Sequence, residues 1–254
     1  MPTFDLTDRV AIVTGASRGI GASIAQQLAE SGAKTVVHYR SDKTGALEVA
    51  EGIRASGGDA YVVQADLSDE EQVRQMIEQV QHNSGGIDIL VNNAGIYPSR
   101  SIEDMSQAEW REMHEANVET AFLCLKHAIP CLEKSEHASI INIASISATH
   151  PGPDHSHYNS SKAALISFTK SAAQELAPKG IRVNSVSPGL IWREGIEKSW
   201  PDGVNRWLAK VPLERLGQAE DIANGCLFLA SSASSWITGH NLVIDGGISS
   251  TTAY

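Results

Sequence analysis

The sequence predicts an α/β protein of three layers, a doubly wound seven-stranded parallel sheet with helices on both faces. Three observations carry this. Short Val/Ile-rich runs recur along the chain, bounded by Gly, Asp or Asn; segments of helical period separate them; and the strand-like runs are apolar throughout rather than alternating. Parallel neighbours need crossovers, and helical crossovers cover both faces of the sheet they span.

The strands fall at residues 9–14 (RVAIVT), 34–40 (KTVVHYR), 60–64 (AYVVQ), 87–92 (IDILVN), 139–144 (SIINIA), 182–186 (RVNSV) and 241–245 (NLVID). Helical period follows the first strand at Ile20, Ile24 and Leu28 and the second at Ala46, Val49, Ala50 and Ile53. It follows the third at Val73, Met76, Ile77 and Val80, and returns late in the chain at Ile222, Cys226 and Leu229. Residues 158–177 read as a further helix. No internal repeat and no Pro/Ser/Gly-rich linker divides the 254 residues, so 1–254 reads as a single domain. The alternation breaks only at the polar loop 150–157 and at 190–213, and long insertions in a compact domain are usually functional.

With 42% hydrophobic and 20% charged residues the chain can fill a packed interior. Its net charge of −10, from 20 Lys+Arg against 30 Asp+Glu, opposes the electrostatics of nucleic-acid binding. The three cysteines, Cys124, Cys131 and Cys226, form no CxxC pair and lie in apolar stretches, as suits a reducing compartment. The N-terminus lacks a basic segment followed by an apolar run, and no stretch reaches the roughly 18 apolar residues of a spanning helix. The expectation is a soluble cytoplasmic protein with no membrane or nucleic-acid partner.

After the first strand comes Thr14-Gly15-Ala16-Ser17-Arg18-Gly19-Ile20-Gly21, leading into a helix. Glycines here keep the turn tight and let backbone approach a ligand, while the free N–H groups and dipole of the helix start favour a pyrophosphate. The G-x3-G-x-G spacing alone is equally a tight strand-to-helix connection. A dinucleotide reading gains from the second strand, whose end carries no acidic residue to accept from a ribose 2′-OH. It reads His38-Tyr39-Arg40-Ser41, and with Arg18 it offers two guanidinium groups and a hydroxyl to a 2′-phosphate. A charge-assisted hydrogen bond is worth roughly 1.5–3 kcal/mol and a tenfold preference about 1.4, so NADP is expected over NAD by at least tenfold. NAD remains possible, because both arginines also read as solvated surface charges and Asp42 nearby blunts the preference.

Tyr158 and Lys162 stand four apart near the start of the 158–177 helix, so they share a face. Taken alone this is an ordinary helical pair. Chemically, a phenol needs roughly 3–4 kcal/mol of phenolate stabilisation to lose two to three pKa units. An ammonium at about 4 Å and an effective dielectric of about 20 supplies about 4 kcal/mol, to which an oxidised nicotinamide adds. The expectation is a Tyr158 made more acidic by Lys162.

These motifs resemble the short-chain dehydrogenase/reductase family in its single-domain branch. The resemblance runs from Arg9 to Gly247 through the 14–21 turn, Asn92-Asn93-Ala94-Gly95, Asn117, Ser145, Tyr158-x3-Lys162 and Pro188-Gly189, in family order and at family spacing. It implies a seven-stranded Rossmann sheet, hydride transfer at nicotinamide C4, and the catalytic set Asn117, Ser145, Tyr158 and Lys162. By that resemblance Tyr158 is the general acid or base and Ser145 donates to the substrate oxygen. Lys162 holds the nicotinamide ribose while lowering the Tyr158 pKa, and Asn117 positions a water in a proton relay. The cofactor set it implies is Gly15, Ser17, Arg18, Gly19, Ile20, Gly21, Arg40, Ser41, Asp66, Leu67, Asn93, Ala94, Gly95, Tyr158, Lys162, Pro188, Gly189 and Ile191. Ser147, near Ser145, reads as a loop hydrogen-bonding residue.

One departure stands out. Many relatives place Thr four residues after the Pro-Gly glycine to bond the carboxamide, whereas Arg193 stands there in this chain. Either backbone around Ile191 holds the carboxamide, or Arg193 faces the substrate. Residues 190–213 correspond to a substrate-covering segment and hold Trp192, Trp200 and Trp207, which read equally as a lid surface or as core and subunit contact. His150, His155 and His157 lack accompanying acidic or thiol ligands, so no metal is expected. Small residues at Cys124, Ala128 and Cys131 and at Ala163, Ala164 and Ala172 suggest close helix approach, and relatives assemble as homotetramers through the corresponding helices.

The leading expectation is an NADP-dependent oxidoreductase on a secondary alcohol or ketone: a 3-oxoacyl thioester, a sugar or polyol, or a small ketone. A sugar epimerase or dehydratase would need an added C-terminal domain, and an enoyl reductase a longer Tyr–Lys spacing. A catalytically silent dinucleotide-sensing module is the alternative from another class, and it predicts a damaged catalytic set.

Overall fold

The computed structural model describes residues 4–250. Its strands are β1 (Val10–Val13), β2 (Lys34–Tyr39), β3 (Ala60–Gln64), β4 (Ile89–Asn92), β5 (Ser139–Ile143), β6 (Arg182–Pro188) and β7 (Asn241–Ile244). The helices are α1 (Gly19–Glu30), α2 (Lys43–Ala55), α3 (Glu70–Ser84), α4 (Gln107–His114), α5 (Thr120–Leu132), α6 (Ser156–Leu176), α7 (Ile196–Ser199), α8 (Pro201–Leu208) and α9 (Ala219–Ala230). Every neighbouring strand pair is parallel, in the order β3-β2-β1-β4-β5-β6-β7. The winding reverses between β1 and β4, and open α/β sheets bind ligands in the crevice at the carboxyl ends of such strands.

Two cores follow from two-faced burial. On one side Ile24 and Leu28 of α1, Val49 and Ile53 of α2, and Ile222, Cys226 and Leu229 of α9 pack on Val13, Val37 and Ile141. On the other, Val73, Met76 and Val80 of α3, Leu123 and Ala128 of α5, and Ala172 and Leu176 of α6 pack on Ile12, Leu90 and Ile140. Ile12, Leu90 and Ile140 are fully buried, each contributing roughly 1.5–3 kcal/mol by leaving water. All seven strands fall where the Val/Ile runs place them. Edge strand β7 departs from the expected two-faced burial: none of its residues is fully buried and Val243 is 42% exposed.

The cysteine and alanine pattern does bring helices close, within the chain. Cys124, Ala128 and Cys131 face the core beneath α3, and Ala172 is buried there as well, so these small residues serve packing inside the chain. All three thiols are free, buried and held protonated by that burial. No helix among the described residues is long and apolar enough to cross a membrane.

Helix starts are assigned locally. Asp42 caps α2 by accepting from the Gly45 N–H at 3.1 Å, Asp69 caps α3, and Ser106 with Glu109 forms a capping box on α4. Helix α1 alone among these four has no side-chain cap and no acidic residue in its first turn. Between α4 and α5 the backbone widens into a π turn at Glu115–Glu119, whose buried member is Asn117. Such turns recur at functional sites.

Candidate active site

The phosphate-facing corner is built by β1, the turn after it and β4. Gly15 adopts φ +61°, a left-handed conformation natural to glycine, and a Cβ there would stand 3.0 Å from the Ala94 Cα. At Gly21, in the first turn of α1, a Cβ would stand 2.5 Å from both the Asn93 Nδ2 and the Gly15 carbonyl oxygen. Asn93 ties this corner together, its Nδ2 donating to the Thr14 and Gly15 carbonyls at 2.9 and 3.0 Å. Thr14 Oγ1 accepts from the Asn93 and Ala94 N–H groups at 2.9 and 3.0 Å. Uncapped N–H groups of α1 over a glycine cradle are what a pyrophosphate requires, so the residues fit a dinucleotide.

Arg18, Arg40 and Ser41 are exposed beside this turn. Asp42 turns its carboxylate to the α2 cap and forms no ion pair with Arg18 or Arg40 among the described residues. Asp66 lies close enough to Arg40 to feel its charge, although the Ser68 hydrogen bonds do most to hold the Asp66 carboxyl below its usual range. Leu67 is buried behind it.

At the other end of the crevice β5 delivers Ser145, α6 delivers Tyr158 and Lys162, and the π turn delivers Asn117. The Ser145 hydroxyl accepts from the Ser147 N–H at 3.1 Å, so Ser147 orients Ser145 through its backbone, and it stands close enough to the Tyr158 phenol to favour its ionised form. Lys162 Nζ, fully enclosed, donates to the Ile143 carbonyl at 2.9 Å and lies 5.7 Å from the centre of the Tyr158 ring. The helical spacing thus brings the pair onto one face, as expected from sequence.

The electrostatics correct one expectation. Burial dominates both groups, pushing the Tyr158 phenol above its ordinary 10 and the Lys162 ammonium down to about 8. The neighbouring Ser145 hydroxyl pulls the phenol back in part, while Lys162 spends its hydrogen bond on Ile143. On the chain's own residues Tyr158 is therefore a protonated donor, not an acidified one.

Asn117 is tied to the segment after β4 by two hydrogen bonds. Its Nδ2 donates to the Ile96 carbonyl at 2.9 Å and its Oδ1 accepts from the Ile96 N–H at 3.1 Å. A methyl group at Gly95 would collide with that oxygen. Asn117 thus fixes the strand of backbone that follows Asn93-Ala94-Gly95.

Beyond Pro188, the Gly189 N–H is held by the Ile244 carbonyl at 2.9 Å. Ile191 forms a parallel bridge to Gly217 through the Leu190 carbonyl and the Trp192 N–H, a pattern that leaves Ile191's own N–H and carbonyl off the bridge. Arg193 is exposed. The tryptophans separate: Trp207 packs with Leu190, Ile196, Val204 and Leu216 as the core of this segment, Trp200 covers Gly203, and Trp192 donates to Glu197 at 2.9 Å. A cavity of about 240 Å³ opens behind Gly189–Ile191 toward Arg215, Asp221 and Asp245; Ser145, Tyr158 and Lys162 do not line it.

The loop histidines have separate partners. His150 pairs with Thr149 Oγ1 at 3.0 Å, His155 with the Pro153 carbonyl at 2.9 Å and edge-on to Tyr158, and His157 is buried. Among the described residues no group of three His, Cys, Asp or Glu could hold a metal ion. Sequence reasoning passed over Thr14 and His38 as site residues. Thr14 directly follows the apolar β1 and His38 stands near the end of β2, and a buried polar residue at the carboxyl end of a core strand is the signal that could have found them.

Comparison with known proteins places the chain among oxidoreductases of related sequence and fold. Residues 15–249 match a family model described as enoyl-(acyl carrier protein) reductase. The 3-oxoacyl-(acyl-carrier-protein) reductase FabG of Staphylococcus aureus is 40% identical over 238 residues, covering 94% of this chain and 97% of the relative. Among solved structures, a short-chain type dehydrogenase/reductase of Mycobacterium marinum is 40% identical with a TM-score of 0.92, covering 98% of both chains. A gluconate 5-dehydrogenase of Burkholderia cenocepacia, in complex with NADP and tartrate, is 31% identical with a TM-score of 0.92 and the same coverage.

Proposed function

The chain belongs to the short-chain dehydrogenase/reductase family, and from that premise we propose that it moves a hydride between NADP(H) and a secondary alcohol or ketone, with Tyr158 handling the proton. The observation that carries this is the buried Lys162 held by the Ile143 carbonyl 5.7 Å from the Tyr158 ring, with the buried Ser145 hydroxyl facing the same phenol. NADP(H) supplies the hydride when bound in the cradle of Gly15, Ser17, Arg18, Gly19, Ile20 and Gly21, with Arg40 and Ser41 beside it.

In reduction, oxygen of the substrate gains charge as its carbon is reduced. The Ser145 hydroxyl donates to that oxygen and the Tyr158 phenol delivers the proton, two preorganised donors acting where charge develops. Lys162, still charged at neutral pH with a pKa of about 8, supports the phenolate that remains and faces the nicotinamide ribose. Asn117 acts through Ile96, holding the backbone after Asn93, Ala94 and Gly95 along the adenosine, where Asp66 and Leu67 flank the base. Pro188, Gly189 and the free backbone groups of Ile191 hold the carboxamide, so Arg193 is left to the substrate side. Residues 190–213 cover the substrate, with Trp207 as their internal core.

The relatives' names span an acyl-thioester reductase and a gluconate dehydrogenase, and the Tyr158-x3-Lys162 spacing favours carbonyl over enoyl reduction. The single 1–254 domain acts as a homotetramer in this reading, supported by the exposed Trp110, Phe122 and Trp236. Three free thiols support the cytoplasm, and the net charge of −10 argues against nucleic acid. A panel of 3-oxoacyl thioesters, sugar ketones and small cyclic ketones, followed by NADPH absorbance, tests the reaction class. Absence of turnover on every member, with NADP⁺ still bound, would favour the dinucleotide-sensing alternative.

A further inference from the structure

We propose that His38 is a positioning residue for the cofactor: its imidazole clamps the glycine-rich turn after β1 to the end of β3, coupling the phosphate cradle to the adenosine pocket. This rests on reading the 14–21 turn as the dinucleotide site. His38 stands near the end of β2 with 1% of its surface exposed. Its Nδ1 accepts from the Gly15 N–H at 3.0 Å, and its Nε2 lies 3.1 Å from the Ala65 carbonyl oxygen. Only one protonation state makes both bonds. Nδ1 must keep its lone pair to accept, so Nε2 carries the hydrogen and donates.

The main chain of the same residue doubles the grip, because the Ala16 N–H donates to the His38 carbonyl at 2.9 Å. The Gly15 and Ala16 amides of the turn therefore both end on His38, so one residue fixes the backbone that leads into α1. On the far side, Ala65 is the residue before Asp66-Leu67. One ring thus spans the two segments that would meet opposite ends of an adenosine diphosphate moiety. Burial keeps that ring neutral, holding its pKa near 4, and the one charged neighbour that resists this is Asp66. A charged ring would turn an N–H toward the Gly15 N–H and break the clamp. Asparagine at this position is too short to reach both partners, and leucine would leave a buried N–H and a buried carbonyl without partners.

Two measurements test this. In the intact wild-type protein, imidazole ¹⁵N shifts should show His38 as the neutral Nε2–H tautomer from pH 8 to pH 5; a charged ring or the Nδ1–H tautomer in that range overturns the inference. In His38→Asn and His38→Leu, the Kd for NADP⁺ should rise about tenfold, with a matching rise in the cofactor KM and a much smaller change in kcat at saturation. Hydrogen exchange without cofactor should quicken at residues 14–22 and not in α5 or α6. A Kd within twofold of wild type, or exchange raised evenly across the chain, overturns it. Wild type failing to bind NADP⁺ would remove the cofactor reading itself and this inference with it.

Discussion

Lys162 lies 5.7 Å from the centre of the Tyr158 ring, and its hydrogen bond goes to the Ile143 carbonyl rather than to the phenol. The two share one face of α6 with no hydrogen bond between them. Burial sets the Lys162 pKa at about 8, so kcat/KM for reduction should show an alkaline limb near that pH. In Lys162→Met the limb should vanish and the rate should fall, which pH–rate profiles of the two proteins would check.

Replacing Tyr158 by Phe removes one oxygen, the phenol that stands beside Ser145 and Lys162. Turnover should drop by roughly 10²–10⁴-fold, the usual worth of a positioned acid, while NADP⁺ affinity and melting temperature stay near wild type. Undiminished kcat would reassign the proton.

Gly21 has no room for a side chain, with a Cβ placed 2.5 Å from the Asn93 amide and from the Gly15 carbonyl. Gly21→Ala should cost roughly 1–3 kcal/mol of stability through overpacking and should raise the cofactor KM as the turn shifts. Thermal melts with and without NADP⁺ separate the two effects.

Arg40 is exposed beside the turn, and Asp42 is occupied as the α2 cap. Arg40→Ala should therefore cut the NADP-over-NAD ratio of kcat/KM by about tenfold, the worth of one charge-assisted hydrogen bond. An unchanged ratio would mean that Arg40 is only a solvated charge.

Acid should destabilise the fold through His38. Its folded pKa near 4 lies below the ordinary 6.5, so between those values the unfolded chain binds more protons and stability falls as pH falls. The full difference is about 3 kcal/mol, lost from pH 6.5 down to pH 4. Urea titrations across that range should show a shallower slope in His38→Asn.

Seven strands and the shared face of Tyr158 and Lys162 were legible because period and spacing are local properties of the chain. The direction of the Tyr158 shift was not. It depends on how deeply α6 sets the phenol and on where Lys162 finds its hydrogen bond, neither of which i,i+4 spacing encodes. Cys124, Ala128 and Cys131 signalled close helix approach, but spacing alone does not say which helix comes near, and the one that does is α3. His38 escaped notice because its two partners, Gly15 and Ala65, lie 23 and 27 residues away.

The π turn at Glu115–Glu119 carries a last consequence. A regular helix advances about 100° per residue, so trimming one residue there to restore ordinary winding would swing Met113 and everything before it by nearly a third of a revolution against α5. Ile96 would lose both of its bonds to Asn117, and the seat of Gly95 would open. The surplus residue is thus a register pin, and single-residue deletions in this stretch should be far less tolerated than deletions in the surface loops on either side.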